Sequence, residues 1–266
     1  MSVYQKEKPE FLRESMESIY DQTIPTDDFV LICDGPLTEE LDGVIEEMQN
    51  KFGERLRVIR QEENRGLGYS LNLGVKECKN ELIARMDSDD ISVVDRIEKQ
   101  LRILENSGVD VVGSCITEYD EDMKQVLGVR NVPGRDEEIK KYARRRNPVN
   151  HMSIILRKSK VIDAGNYKEM PGFEDYYLWI RMMKKDCKFY NVQDSLVKVR
   201  GGDAMVGRRG GWLYFGRMKE FEKILKKMDF ISTKEYYENI AIRSFSSLAP
   251  SWMRSGLYRK VLRSSG

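Results

Sequence analysis

Strand-like and helix-like segments alternate along the first 117 residues of the chain. Apolar runs predict strands at residues 29–33, 56–60, 82–86 and 109–116, and apolar residues at helical spacing predict helices at 9–20, 41–52, 67–78 and 91–104. Strands that alternate with helices of this length form βαβ units. The pattern therefore predicts an α/β fold in which helices cover both faces of a mostly parallel sheet.

The second half of the chain is less regular. An exposed charged helix is predicted at 136–145, a strand at 152–156 and another helix at 175–185, with short strands at 188–190 and 196–199 that return to the sheet. From Trp212 onward the pattern is helical. We expect one large domain over residues 1–210, with halves that meet near residue 117, and a helical extension over residues 211–266.

The composition excludes several classes of protein. With 45 basic and 44 acidic residues the formal net charge is +1, so the whole-chain charge does not indicate a nucleic-acid-binding protein. The four cysteines include no C-x-x-C pair, which argues against a zinc site or a disulfide scaffold. No apolar run is long enough for a signal peptide or a membrane span. We expect a cytoplasmic protein.

Three aspartates, Asp87, Asp89 and Asp90, follow the predicted strand at 82–86. In open α/β sheets ligands bind beyond the carboxyl ends of the strands. Asp87 and Asp89 are two residues apart in an extended segment, so both side chains can hold one hard divalent cation together with diphosphate oxygens. Alternatively, Asp90 and Ser92 cap the helix that follows. A cap does not need three crowded acids, whose mutual repulsion a cation relieves.

Two further segments follow predicted strands. Asp34 comes after the strand at 29–33 and can accept hydrogen bonds from a nucleotide base or ribose, although Asp34-Gly35-Pro36 is also an ordinary turn sequence. Asn64 and Arg65 precede Gly66 at the start of the helix at 67–78, where main-chain amides or the arginine can approach a nucleotide. Both the functional and the structural interpretation stay open for these segments.

Glu174 and Asp175 open the predicted helix at 175–185. Acids at this position compensate the helix dipole. A carboxylate in such an aromatic-rich segment also suits a general base for an attacking hydroxyl. The ring of Trp179 is expected to stack on the apolar face of a sugar.

Taken in order, the strand-Asp-Gly turn, Asn-Arg-Gly-Leu, Met-Asp-Ser-Asp-Asp and Glu-Asp-Tyr-Tyr-Leu-Trp resemble family 2 glycosyltransferases of the GT-A fold, in the bacterial branch that builds capsule, exopolysaccharide or O-antigen. The resemblance extends from residue 1 to about residue 210. It implies an inverting enzyme that uses a UDP-sugar or similar donor with Mn²⁺ or Mg²⁺. Residues 1–117 would form the nucleotide-binding half and residues 118–210 the acceptor half.

The resemblance also implies roles for single residues. Asp34 would contact the base, Asp87 the ribose or the metal, and Asp89 the metal. Asp175 would be the catalytic base, supported by Glu174. We expect donor binding by six residues: Tyr4, Asp34, Asn64, Arg65, Asp87 and Arg208.

Two features depart from the family pattern. Such proteins carry several apolar residues ahead of the Ser-Val-Tyr that starts here at Ser2, so the first strand is almost absent and the nucleotide pocket near Tyr4 is less well defined. Cys33 stands where many relatives have a second acid, which leaves Asp34 to act alone.

His151 is the only histidine of the chain. A lone histidine is more often structural than a ligand, whereas the family resemblance suggests a place near the acceptor or the metal. The glycine-rich stretch 200–211 is either a surface loop or a segment that closes over the donor and brings Arg208 or Arg209 to the leaving diphosphate.

Residues 248–263 combine aromatic and apolar side chains with basic ones and contain no acid. This mixture suits a helix on an anionic membrane surface, and packing against the domain or a dimer partner is the alternative. We expect a glycan or polyprenyl-linked acceptor, met at the inner face of the plasma membrane, and leave an oligomer open.

Other functions also remain open. A sugar-1-phosphate nucleotidyltransferase has a similar sheet but needs a glycine-rich N-terminal loop, and residues 1–11 contain no glycine. A phosphatase would need a second acid where Pro36 stands. A non-catalytic module that binds a glycan or nucleotide is distinguished only by a turnover assay.

Overall fold

A computed structural model describes residues 1–201 and 211–248 of the chain. The strands in this part are β1 (Ser2–Val3), β2 (Phe29–Cys33), β3 (Leu56–Arg60), β4 (Leu82–Ala84), β5 (Ile91–Ser92), β6 (Val111–Tyr119), β7 (Val126–Arg130), β8 (Ile155–Arg157) and β9 (Phe189–Arg200). The helices are α1 (Pro9–Tyr20), α2 (Glu39–Phe52), α3 (Leu67–Glu77), α4 (Arg96–Asn106), α5 (Asp136–Tyr142), α6 (Lys158–Asp163), α7 (Glu174–Met183), α8 (Gly211–Lys227) and α9 (Thr233–Leu248).

The strands form two sheets. The first is parallel, in the order β1-β2-β3. The second has the order β4-β8-β6-β9-β5 with β7 paired to β6, and among its described pairs only β6 with β9 is parallel. The α/β class is confirmed. The second sheet is mixed rather than mostly parallel, because β7 returns directly after β6 and β8 enters between β4 and β6 in the opposite direction.

The first sheet has its own hydrophobic core. All five residues of β2, Phe29–Cys33, are buried, as expected for a parallel strand covered on both faces. Leu12 and Met16 of α1 pack in this core. The hydroxyl of Thr38 caps α2 by accepting a hydrogen bond from the Leu41 amide at 3.3 Å. This packing fixes the carboxyl end of β2, where Asp34 follows.

The segment after the aspartates is a strand and not the start of a helix. Ile91–Ser92 (β5) pairs with β9, and α4 begins only at Arg96. The interpretation of Asp90 and Ser92 as helix caps is therefore wrong, because strand pairing holds this backbone extended.

Several other elements also differ from the prediction. β9 runs unbroken over Phe189–Arg200, where two short strands were expected, because it pairs along β6 through register shifts. The strand expected at 152–156 begins at Ile155, because His151–Ser153 form a short 3₁₀ helix. β7 was not predicted.

The C-terminal helices α8 and α9 share a core with α7. The ring of Phe221 stacks on that of Phe173 with centroids 4.8 Å apart and lies 4.9 Å from the ring of Tyr176. The Nε atom of Arg144 is 2.6 Å from an oxygen of Glu235. The predicted extension thus packs directly against the helix that begins with the two acids, and β6 crosses the predicted meeting point at residue 117.

The proposed membrane helix at 248–263 lies almost wholly outside the described residues, which end at Leu248. Among the described helices, none combines the length and the apolar character needed to cross a bilayer.

A cavity of about 510 Å³ lies between the two sheets. The cavity lies beside β1 and β4. β1 is as short as expected, with only two residues, and β4 pairs only with β8 among the described strands. Side chains of β2 and β4 face this cavity, together with Arg85 and Tyr167. Most of its wall is apolar.

Candidate active site

Asp87, Asp89 and Asp90 form a cluster beyond the end of β4. One carboxylate oxygen from each residue lies within 4.8 Å of the others. Asp90 therefore joins the two acids that were predicted to hold a metal. An Oδ1 atom of Asp90 also accepts a hydrogen bond of 3.0 Å from the amide of Arg200, which anchors the cluster to β9.

Burial and crowding make negative charge costly in this cluster. Burial, the neighbouring Asp87 and then Glu7 raise the pKa of Asp89 to about 7. Burial, Asp89 and Asp87 raise the pKa of Asp90 well above its ordinary value. A divalent cation reverses this penalty, and carboxylate oxygens are the donors that Mn²⁺ and Mg²⁺ accept. The residues present thus fit the expected ion.

Asp34 lies at the carboxyl end of β2, as predicted, and its carboxylate holds the start of α3. One oxygen accepts from the amide of Arg65 at 2.8 Å and the other from the amide of Gly66 at 3.0 Å. The side-chain amide of Asn64 donates to the Asp34 carbonyl at 3.2 Å. The two segments predicted to bind the nucleotide are therefore joined to each other directly.

Gly35 permits this junction. Its φ of +86° lies in the left-handed region, and a Cβ atom there would come within 2.7 Å of the Asn64 nitrogen. We expect Gly35→Ala to lower the free energy of unfolding by about 2–4 kcal/mol through backbone strain and overlap. Urea denaturation followed by circular dichroism measures this change.

Gly43→Ala is the matched control. Gly43 lies inside α2, and nothing stands within 4 Å of the added methyl group. Alanine there should stabilise the protein by about 0.5–1 kcal/mol. Equal stability changes for the two variants would contradict the role given to Gly35.

Glu174 and Asp175 lie at the start of α7. Oδ2 of Asp175 accepts a hydrogen bond of 2.6 Å from the side chain of Asn147. Burial raises the pKa of Asp175, and the hydrogen bond from Asn147 opposes the shift. Burial also raises the pKa of Glu174. A Cβ atom added to Gly68 would lie 3.2 Å from Cγ of Glu174, so this acid packs against the start of α3.

Arg85 connects the aspartate cluster with the surroundings of Asp175. Its Nη2 atom donates to Oδ1 of Asp87. Its positive charge acts on Asp175, and also on His151 and Tyr167. The structure therefore brings together acids that are almost ninety residues apart in the sequence.

His151 and Trp179 lie behind this site. The Nε2 atom of His151 is 2.8 Å from the hydroxyl of Tyr167, and burial, with a smaller effect from Arg85, lowers the pKa of the imidazole well below its ordinary value. His151 is thus neutral and is not a member of the metal cluster. Trp179 is fully buried, with its ring 5.9 Å from that of His151. This placement leaves no face of the indole for the sugar expected there.

Two other predicted donor residues, Tyr4 and Arg65, lie near the surface. Tyr4 is 43% exposed at the end of β1. The guanidinium of Arg65 stacks over the ring of Tyr69 at 3.6 Å. Arg208 and Arg209 fall outside the described residues.

Comparison with known proteins identifies the family. The family model described as Glycosyl transferase family 2 matches residues 1–164. The chain belongs to this family. Family 2 membership makes it a glycosyltransferase and sets aside the nucleotidyltransferase and phosphatase alternatives.

Full-length relatives of this family 2 chain occur among curated proteins. The amylovoran biosynthesis glycosyltransferase AmsE of Erwinia amylovora is 38% identical over 264 residues, which covers 98% of this chain and 97% of the relative. An Escherichia coli protein named UDP-Gal:alpha-D-GlcNAc-diphosphoundecaprenol beta-1,3-galactosyltransferase is 32% identical over 264 residues, covering 99% of this chain and 95% of the relative.

Solved structures confirm the GT-A fold. TarS 1–349 of S. aureus in complex with UDP-GlcNAc superposes with a TM-score of 0.66 at 17% identity, covering 98% of this chain and 75% of that one. The mannosyltransferase PcManGT of Pyrobaculum calidifontis in complex with GDP-Man and Mn²⁺ gives a TM-score of 0.65 at 14% identity, covering 96% of this chain and 71% of that one.

Sequence reasoning missed three residues of the site, Arg85, Asn147 and Arg200, and it did not include Asp90 among the metal ligands. Asp90 carried a visible signal, since it adjoins the two acids assigned to the metal. Asn147 stands four residues before His151 in the same segment, but nothing local shows that it bonds Asp175. Arg85 stands two residues before Asp87, but nothing local shows that it bonds this acid. Arg200 gains its place only through its tertiary contact with the Asp89 carbonyl.

Proposed function

We propose that the chain is an inverting glycosyltransferase that moves a sugar from a UDP-sugar to a glycan or lipid-linked acceptor in surface polysaccharide synthesis. One observation carries the proposal. The cluster of Asp87, Asp89 and Asp90 is joined through Arg85 to the surroundings of Asp175, a carboxylate that stands apart from the cluster. Donor binding and proton removal thus have separate carboxylates within one site.

Asp175 serves as the general base of the proposed reaction. Its carboxylate is held by Asn147 at 2.6 Å and accepts the proton of the acceptor hydroxyl as that oxygen attacks the anomeric carbon. The raised pKa brings this carboxyl closer to the pH at which a base is effective. A single displacement of this kind inverts the anomeric configuration.

The aspartate cluster holds the donor side. When bound to Asp87, Asp89 and Asp90, Mn²⁺ or Mg²⁺ would neutralise negative charge on the departing nucleoside diphosphate. Asp34 keeps the backbone of Arg65 and Gly66 in place beside the nucleotide. Glu174 packs against Gly68 and so supports the contact between α3 and α7.

The names of similar proteins support the finer assignments. The relative from E. amylovora belongs to amylovoran biosynthesis, and the relative from E. coli is named for a UDP-sugar donor and a diphosphoundecaprenol acceptor. The TarS complex contains UDP-GlcNAc, and the PcManGT complex contains Mn²⁺. A lipid-linked acceptor agrees with a place at the inner face of the plasma membrane.

The test is a turnover assay with the purified chain, a panel of nucleotide sugars, Mn²⁺ and a GlcNAc-diphospholipid acceptor. We expect acceptor-dependent release of UDP and a product whose anomeric configuration, measured by NMR, is opposite to that of the donor. Retained configuration would contradict the inverting mechanism. Binding of UDP by calorimetry without transfer or donor hydrolysis would favour the alternative, a non-catalytic binding module.

The pH dependence of transfer tests the role of Asp175. A base must be ionised, so kcat/KM should fall with decreasing pH through the raised pKa of Asp175, above the range of an ordinary aspartate. Asn147→Ala removes a hydrogen bond that lowers this pKa. The acid limb of the profile should therefore move to higher pH in the variant, measured at saturating Mn²⁺. An unmoved limb would contradict the assignment.

A further inference from the structure

Arg85 differs from the other buried arginines of the described chain, Arg96 and Arg181. Arg96 and Arg181 each use all three guanidinium nitrogens in hydrogen bonds, and those of Arg181 all go to backbone carbonyls. Arg85 uses only Nη2, which contacts Asp87. Its Nε and Nη1 atoms are buried without a hydrogen-bond partner in the part of the chain that is described.

Two buried donors on one cation call for an acceptor. Buried polar groups are almost always paired, because an unmade hydrogen bond away from water is destabilising. Arg85 and Tyr167 also line the cavity between the sheets, but Asp87, Asp89, Asp90 and Asp175 are not part of its wall. Of these three buried arginines, only Arg85 has guanidinium nitrogens without a partner among the described residues.

The place of Arg85 narrows the choice of acceptor. The guanidinium touches Asp87 and exerts its charge on Asp89 and Asp90 as well as on Asp175. It therefore contacts the cluster that would hold the cation, and its charge also reaches the carboxylate that would remove the proton. An acceptor of Arg85 would therefore lie close to the proposed cation site.

The charges of the site favour a phosphate oxygen. A divalent cation at most balances two of the three carboxylates, so the charge of a diphosphate is left without compensation. The guanidinium of Arg200 uses its two Nη atoms for the Asp89 carbonyl and Glu14, which leaves one buried donor, Nε, without a partner among the described residues. Arg85 keeps its positive charge at every physiological pH and has two donors free, which is the chemistry that binds phosphate.

We propose that Arg85 is a direct ligand of the donor diphosphate, with Nε and Nη1 donating to a phosphate oxygen while Nη2 orients Asp87. This inference rests on the proposed function, since it requires a nucleoside diphosphate in the site. Arg85 would then stabilise the leaving group as negative charge develops on it.

The experiment is calorimetric titration of the full chain with UDP in the presence of Mn²⁺. Arg85→Met keeps most of the side-chain volume and removes the donors, and it should weaken UDP binding about 10- to 100-fold. Arg85→Lys keeps the charge but not the planar set of donors, so its UDP affinity should lie between those of Arg85→Met and the parent. Should Arg85→Met fail to fold, Arg85→Lys carries the same test with a smaller expected loss.

Arg181→Met is the matched control, because it removes a buried arginine whose bonds go only to backbone carbonyls. It should lower the melting temperature and leave UDP affinity unchanged. Titration with Mn²⁺ alone separates the two tasks of Arg85, since a role confined to Asp87 would weaken Mn²⁺ binding and UDP binding equally.

Three results would overturn the proposal. These are unchanged UDP affinity in Arg85→Met, a loss seen with UDP-GlcNAc but not with UDP, and equal losses for Mn²⁺ alone and for UDP. The first would mean that solvent in the cavity satisfies the guanidinium, and the second that the arginine binds the sugar. If the parent chain itself bound neither UDP nor UDP-GlcNAc, the proposed function would fail, and not the assignment of Arg85.

Discussion

Asp175→Asn should lower kcat for sugar transfer by about 10²–10⁴-fold, the usual contribution of a positioned general base. The amide has the shape of the carboxylate and can still accept the hydrogen bond from Asn147, which measures 2.6 Å in the parent. It cannot take up the proton of an attacking hydroxyl. Donor binding should stay near the parent value, because Asp175 lies outside the metal cluster.

Initial rates of UDP release with acceptor, compared with calorimetric UDP affinity, measure the two effects separately. Asp163→Asn is a suitable control, since this acid lies on the surface with 58% of its side chain exposed in an ion pair with Lys185. It should retain parent activity. An Asp175→Asn variant that works within about threefold of the parent would remove Asp175 from the mechanism.

Asp89→Asn should have opposite effects on activity and stability. We expect transfer to fall at least about 100-fold and UDP binding to lose its dependence on Mn²⁺, because a member of the cation cluster is gone. Without metal, however, the variant should melt at a higher temperature than the parent at pH 8. The stabilisation follows from the removal of a carboxylate whose charge is unfavourable in the folded state.

The sign follows from the pKa of Asp89, which is raised from 3.8 to about 7 in the folded chain. The folded state holds this proton more tightly than the unfolded state. Protonated Asp89 therefore makes its whole contribution to the free energy of unfolding below the ordinary pKa, and this contribution is lost as the pH rises through about 7. Thermal denaturation of parent and variant tests the stability gain in EDTA and the loss of the metal effect in Mn²⁺. Mn²⁺ should stabilise the parent and leave Asp89→Asn unchanged.

A stability gain for Asp89→Asn that is already present at pH 4 would contradict this account, since Asp89 is then largely protonated in the folded state. Equal stabilisation of parent and variant by Mn²⁺ would show that the cation binds elsewhere.

The first half of the fold could be predicted because its signals are local. β2 is a continuous apolar run that Asp34 follows directly, and Asp87 comes three residues after β4, so the rule about strand ends places both acids. The predicted helix start at Ile91 failed because apolar spacing cannot reveal that this backbone pairs with β9, more than a hundred residues later. Tertiary pairing decided the conformation there.

The details of the site depended on contacts that no spacing encodes. Trp179 was expected to face a sugar because aromatic residues surround the acids, but α7 turns this ring into the core beside His151. The hydrogen bond from Asn147 to Asp175 joins residues from different segments. Arg85 stands next to a recognisable motif, yet only its unpaired nitrogens in the folded chain draw attention to it.

The stacking of Phe221 on Phe173 has a consequence for the evolution of such an enzyme. Phe173 directly precedes the two acids of α7, so their position is set by the hydrophobic cluster that includes α8, whereas Asp34 is set by the separate cluster around β2. Displacements of a few tenths of an ångström between reacting groups alter rates strongly. On the proposed roles of Asp175 and Asp34, substitutions in the C-terminal helices would retune which acceptor hydroxyl is aligned for attack and would leave nucleotide recognition unaltered.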